Sequence, residues 1–262
     1  MAFKRINDIL IHHQSIGPVD GPALVFINSL GTDFRIWDTV VPAFSDRFRV
    51  VLYDKRGHGL SDAPGGDYTI EDHANDVIGL LDHLGIEKFS VVGLSVGGFI
   101  AQQLALSVPD RIEAVVLCDT AVKIGDAAAW NGRIDAVRAG GIESIAPMIL
   151  ERWFTEPFRA TEECEGYSHM LVRTPVNGYI GTCAALRDGD FRTEASRIKA
   201  PVLCVVGDKD GSTPPDLVRA MADLIPGARF EIIKDAGHLP NIEQPEALIR
   251  LMADHLKASG LA

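Results

Sequence analysis

Ser95 stands in Gly93-Leu94-Ser95-Val96-Gly97, the Gly-x-Ser-x-Gly spacing of a nucleophile elbow. A serine hydroxyl is a weak nucleophile at neutral pH and needs an adjacent base, which in turn needs an acid to orient it. Two later stretches offer those groups: Gly207-Asp208-Lys209-Asp210 and Ala236-Gly237-His238-Leu239-Pro240, each following a short apolar run. Of the eight histidines, only His238 lies in a glycine-flanked loop after the last such run. Asp210 is the preferred acid, because three residues beyond Gly207 let a loop swing its carboxylate towards the imidazole. Asp119 competes for that role from the end of the preceding run, Asp235 lies close to His238, and Asp208 reads as a brace for the turn. The resulting order is Ser95, Asp210, His238, a triad for nucleophilic acyl transfer.

These groups need a frame. An apolar run, Phe89 to Val92, enters the elbow, and Ile100, Ala101, Leu104 and Ala105 leave it at helical spacing. A strand reversing sharply into a helix strains Ser95 and excludes bulk two positions to either side. The helix start behind it presents free N–H groups and a partial positive charge. Ala23 to Ile27, apolar throughout, runs into Asn28-Ser29-Leu30-Gly31, where a loop can aim the Leu30 N–H at an oxyanion beside that of Val96. Further apolar runs, at Phe48 to Tyr53, Ala114 to Leu117, Val202 to Val206 and Phe230 to Ile233, alternate with helical patterns. One such helix starts at the capping sequence Thr69-x-x-Asp72 and ends at Gly85, and others follow Pro214-Pro215 and Pro245. Residues 3–14 read as a β-hairpin about Asn7-Asp8. The whole predicts an α/β fold, a mostly parallel central sheet with helices on both faces, and its chemistry at the carboxyl ends of the strands. The charged loop Asp54 to Asp62, with His58, reads as structural, and His73 and His83 as packing or surface residues.

From 121 to 196 no strand-like run appears, and helical patterns occupy 127–139, 142–154 and 177–187. This segment reads as a helical cap inserted in a core made of residues 1–120 and 197–262. Trp130, Arg133, Arg138, Arg152, Trp153, Arg173 and Tyr179 are spread through it, as candidate substrate contacts or cap packing. A formal net charge of -11 argues against nucleic acid or an anionic membrane as partner, and no apolar run is long enough to span a membrane. The N-terminal stretch has no apolar signal region, and the four cysteines have no Cys-x-x-Cys spacing. A cytoplasmic protein without a metal site is therefore expected.

The elbow, Asp54-Lys55-Arg56-Gly57-His58-Gly59-Leu60-Ser61-Asp62, Gly-Asp-Lys-Asp and Ala-Gly-His-Leu-Pro together resemble the α/β-hydrolase superfamily over almost the whole chain. Within it, Asn28-Ser29-Leu30-Gly31-Thr32-Asp33, Gly66-Asp67-Tyr68-Thr69-Ile70, Trp130-Asn131-x-Arg133-Ile134, Arg152-Trp153-Phe154 and Gly178-Tyr179 resemble the 3-oxoadipate enol-lactonases of bacterial aromatic catabolism. Asn28-Ser29 replaces the His-Gly common among hydrolases, a departure that agrees with the enol-lactonase pattern. The resemblance implies Ser95, Asp210 and His238 as catalytic residues and an enzyme without metal or organic cofactor. It also implies a small anionic lactone as substrate, whose carboxylate a cap arginine would receive, Arg133 first, with Trp130, Trp153 and Tyr179 lining the pocket. Esterases, carbon–carbon bond hydrolases, perhydrolases and non-catalytic ligand receptors share the framework and remain alternatives.

Overall fold

The computed structural model describes residues 2–261. Eight strands form one sheet: β1 (Ala2–Ile6), β2 (Ile9–Ile16), β3 (Ala23–Ile27), β4 (Arg49–Tyr53), β5 (Phe89–Leu94), β6 (Ile112–Cys118), β7 (Val202–Gly207) and β8 (Arg229–Ile233). Their order across the sheet is β1-β2-β4-β3-β5-β6-β7-β8. The β1–β2 and β2–β4 pairs are antiparallel and every other pair is parallel. The expected hairpin is present, and Asn7 and Asp8 take the positive φ values that its tight turn demands.

The central strands are apolar on both faces. Every residue of β3, β5 and β7 is buried, which is why these runs carry no polar alternation. Helix α1 (Ile70–His83) begins with the predicted capping box, Thr69 and Asp72 bonding reciprocally, and packs on α2 (Val96–Ser107). The latter lies against β5 and β6. Between β6 and β7 come only helices: α3 (Ala127–Gly140), α4 (Ala146–Trp153), α5 (Glu156–Arg159), α6 (Glu162–Val172) and α7 (Val176–Asp188). The expected helices at 127–139, 142–154 and 177–187 correspond to α3, a short 3-10 turn followed by α4, and α7. Helices α5 and α6 are additions to that expectation. After β7 come α8 (Pro215–Leu224), then β8, the short α9 (Pro240–Glu243) and α10 (Pro245–Ala258).

The parallel arrangement has one consequence for function. The residues just after β3, β4, β5, β6, β7 and β8 all emerge at the same edge of the sheet. Leu30, Asp54, Ser95, Asp119, Asp210 and His238 are therefore brought together from segments more than two hundred residues apart.

Candidate active site

Ser95 has φ 57 and ψ −115, a conformation that side chains other than glycine avoid. Hydrogen bonds on both sides hold it there. Its N–H donates to the Cys118 carbonyl at 2.9 Å, and its own carbonyl accepts from Thr120 Oγ1 at 2.7 Å. The flanking glycines permit the close approach. A Cβ on Gly97 would collide with the Ile27 backbone, and one on Gly93 with the Gly97 backbone. The elbow sequence is thus a packing requirement as well as a chemical motif.

The acid and the imidazole meet as the spacing suggested. Asp210 Oδ2 lies 2.8 Å from His238 Nδ1, and both side chains are buried. The other Asp210 oxygen accepts from the N–H groups of Ser212 and Thr213, and Thr213 Oγ1 donates to Oδ2 at 2.6 Å. Burial of Asp210 opposes its charge, but the adjacent His238 and the hydrogen bonds from His238 and Thr213 outweigh it and lower the carboxyl pKa. Asp208 takes the bracing role, accepting from the Ala236 N–H and pairing with Lys209 at 3.3 Å. Asp119 also lies close: one ligating atom each from Asp119, Asp210 and His238 fall within 4.8 Å of one another. The 2.8 Å Asp210–His238 contact leaves no place for an ion between those two groups, since ligand bonds near 2 Å would hold them further apart.

Ser95 and His238 line one cavity of about 120 Å³, with Leu30, Trp130, Arg133, Arg152, Trp153 and Tyr179 in its walls. No hydrogen bond joins Ser95 Oγ to His238 among the described residues; such bonds are commonly loose before substrate is bound. The N–H groups of Leu30 and Val96 have no acceptor among the described residues, so both are free to bind an oxyanion.

The loop carrying Leu30 is braced from beneath. Lys55, wholly buried, donates from Nζ to the Ser29 carbonyl at 2.6 Å. Gly31 N–H donates to His58 Nε2 at 3.0 Å, and Asp54 Oδ1 accepts from the Phe34 N–H. With Nε2 accepting, the His58 proton resides on Nδ1, 3.1 Å from the Arg56 carbonyl. The charged loop after β4 is structural, as its sequence suggested, and what it supports is the candidate oxyanion loop. Nothing in the residue pattern pointed to that partner.

The cap candidates separate clearly. Arg133 is half-buried, lies 4.8 Å from the Trp130 ring centroid and lines the cavity. Arg152, at the last turn of α4, lines it too. Neither forms an ion pair among the described residues, in contrast to Arg138, which pairs with Asp135. Arg173 lies at a different cavity, beside His12 and Phe34. Trp130 both packs and lines, with Nε1 donating to the Ile124 carbonyl at 2.6 Å. Trp153 contributes its backbone as well as its ring, for its carbonyl accepts the His238 N–H at 2.8 Å. Tyr179 is buried in the same wall. His73 is buried and His83 exposed, both away from the cavity. The four cysteines are all free and buried.

A serine on a strained strand-to-helix turn, an imidazole backed by a carboxylate and two free N–H groups over one cavity define a hydrolase architecture for acyl transfer. The chain belongs to the α/β-hydrolase family, whose fold model matches residues 22–139. Within that family it is a carboxylic ester hydrolase similar to the enol-lactonases. It is 39% identical to 3-oxoadipate enol-lactonase 2 of Acinetobacter baylyi, over 92% of this chain and 91% of that one. The crystal structure of the enol-lactonase from Burkholderia xenovorans LB400 superposes with a TM-score of 0.95 at 38% identity, covering 98% of this chain and 100% of that one. A thermophilic esterase from Thermogutta terrifontis is more distant, with a TM-score of 0.92 and 30% identity over 98% of both chains.

Proposed function

We propose that the protein opens the lactone ring of 3-oxoadipate enol-lactone, in bacterial aromatic catabolism, through an acyl-enzyme on Ser95. The observation that carries this reading is a pair of arginines without carboxylate partners among the described residues, Arg133 and Arg152, in the wall of the cavity that holds Ser95 and His238. In a chain of net charge -11, unpaired guanidinium groups beside the serine favour a substrate with its own carboxylate. The similarity to proteins named enol-lactonase supports the same substrate class.

His238 takes the proton of Ser95 as the hydroxyl oxygen attacks the lactone carbonyl. The N–H groups of Leu30 and Val96 receive the developing oxyanion; loss of one such donor costs about 10²–10³ in rate. Collapse of the tetrahedral intermediate expels the ring oxygen, a better leaving group than an alkoxide, which takes the proton held by His238 to become an enol and then the ketone. Water, deprotonated by His238, then attacks the acyl-enzyme and releases the acid from Ser95. Asp210 orients the imidazole and stabilises its cationic form. Arg133 holds the free carboxylate, with its guanidinium kept in place over Trp130.

The ultraviolet decay of freshly generated enol-lactone, measured with the wild type, with Ser95→Ala protein and beside a neutral p-nitrophenyl ester, tests this. Fast, Ser95-dependent lactone decay with a slower ester reaction is expected. Brisk ester hydrolysis without lactone turnover would refute the substrate while leaving the triad intact.

A further inference from the structure

Asp119, the first residue after β6, is wholly buried, and its backbone takes φ 47. Its N–H donates to the Val205 carbonyl at 2.8 Å, and its Oδ1 accepts from the Gly207 N–H at 2.9 Å. Its Oδ2 accepts no hydrogen bond among the described residues, and its one close side-chain neighbour of hydrogen-bonding type is Asp210. A buried carboxylate oxygen that accepts no hydrogen bond is strongly disfavoured as an anion, so its persistence calls for an explanation. The surroundings supply one. One side-chain atom each from Asp119, Asp210 and His238 lie within 4.8 Å of one another, and the neighbouring charges of Asp210 and Glu243 both oppose ionisation of Asp119. Two ionised carboxylates here would face one imidazole, with Glu243 adding further negative charge.

We infer that Asp119 and Asp210 form a coupled carboxyl pair that holds one negative charge beneath His238. Asp119 is the protonated member, a positioning residue whose acid group supports Asp210. When the Asp210 carboxylate is removed, Asp119 gives up its proton to solvent and orients the imidazole in its place. The arrangement accounts for the orphan oxygen, because a carboxylic acid O–H beside Asp210 is a donor where a second anion would be a repelling neighbour. Burial, with the Asp210 charge adding to it, also pushes the Asp119 carboxyl well above the usual carboxylate range. The inference rests on serine chemistry alone and is independent of which ester or lactone the cavity takes.

The test compares two ways of removing Asp210, read by the rate at which an alkyl fluorophosphonate labels Ser95. That readout follows nucleophile activation whatever the substrate. Asp210→Asn keeps the space filled and presents an amide to His238, favouring the wrong tautomer, so labelling should fall by about 10⁴. Asp210→Ala vacates the space for the Asp119 carboxylate, so labelling should fall by only about 10². Adding Asp119→Asn to Asp210→Ala should return the loss to about 10⁴. Asp119→Asn alone should slow labelling a few-fold. An Asp210→Ala protein no faster than Asp210→Asn, or unaffected by the added Asp119→Asn, would overturn the inference. Should Asp210→Ala not fold, as judged by circular dichroism, Asp210→Ser makes the same comparison.

Discussion

Gly31 donates its N–H to Nε2 of His58 across 3.0 Å, with the imidazole wholly buried. The residue preceding Gly31 is Leu30, so this bond holds the backbone next to a candidate oxyanion donor. It requires an imidazole with an unprotonated Nε2.

Burial, joined by the nearby Lys55, pushes the His58 pKa well below its ordinary value near 6.5. The folded protein therefore binds this proton less readily than the unfolded chain. The stabilising contribution is complete above about pH 6.5 and declines as pH falls from there towards the depressed folded pKa, by up to about 1.4 kcal/mol per pH unit. His73, buried and shifted in the same direction, adds to the slope. Thermal midpoints measured between pH 7.5 and 5 should fall on the acid side. His58→Gln should reduce that slope while leaving the part due to His73. An unchanged slope in the variant would place the acid sensitivity elsewhere.

Arg133 and Arg152 face the same cavity without ion-pair partners among the described residues, so their removal should discriminate between substrates. Arg133→Ala is expected to lower kcat/KM for the acidic lactone by about 10- to 100-fold, the range of a lost charge-assisted hydrogen bond. Most of the effect should fall on KM, and a neutral ester should be affected far less. Steady-state kinetics on both substrates decide the matter. Equal losses would mean that Arg133 shapes the cavity instead of holding a carboxylate.

The strained Ser95 backbone predicts a conflict between activity and stability. Ser95→Gly and Ser95→Ala both delete the hydroxyl and should be equally inactive. Only glycine accommodates φ 57 and ψ −115 without side-chain conflict, so the glycine variant should unfold about 1 kcal/mol later than the alanine variant. Urea denaturation of the two proteins measures the difference. Identical midpoints would show that the turn stores no usable strain.

Features encoded over a few neighbouring residues were legible in the sequence. The elbow, the capping box at Thr69 and the unbroken apolar strands each carry their own local signal. Helix α6 did not, because it buries only Cys164 and Leu171 and opens with Glu162, Glu163 and Glu165, a pattern without a clear apolar face. Asp210 was preferred to Asp119 on loop length alone, and the 2.8 Å contact with His238 is what ranks two aspartates that both follow strands. Lys55 is the sharpest case. Its loop reads as structural through paired charges, yet Lys55 is wholly buried and bonds two loop carbonyls, Ser29 and Thr32, in place of water. Arg133 was preferred on its spacing to Trp130, but Arg152 was separable from Arg138 and Arg173 only once the helices had directions.

Glu243 receives hydrogen bonds from the Thr155 N–H and hydroxyl on the cap side and from the Gly237 N–H beside the imidazole. The Trp153 carbonyl accepts from the N–H of His238 itself. The helical segment between β6 and β7 and the loop that carries His238 are thus one mechanical unit at this point. Grafting a foreign cap here would transplant a new pocket and detune the proton transfer in the same step. Side-chain replacement on α3 and α7, whose Arg133 and Tyr179 line the cavity without bonding to that loop, would leave the tether in place.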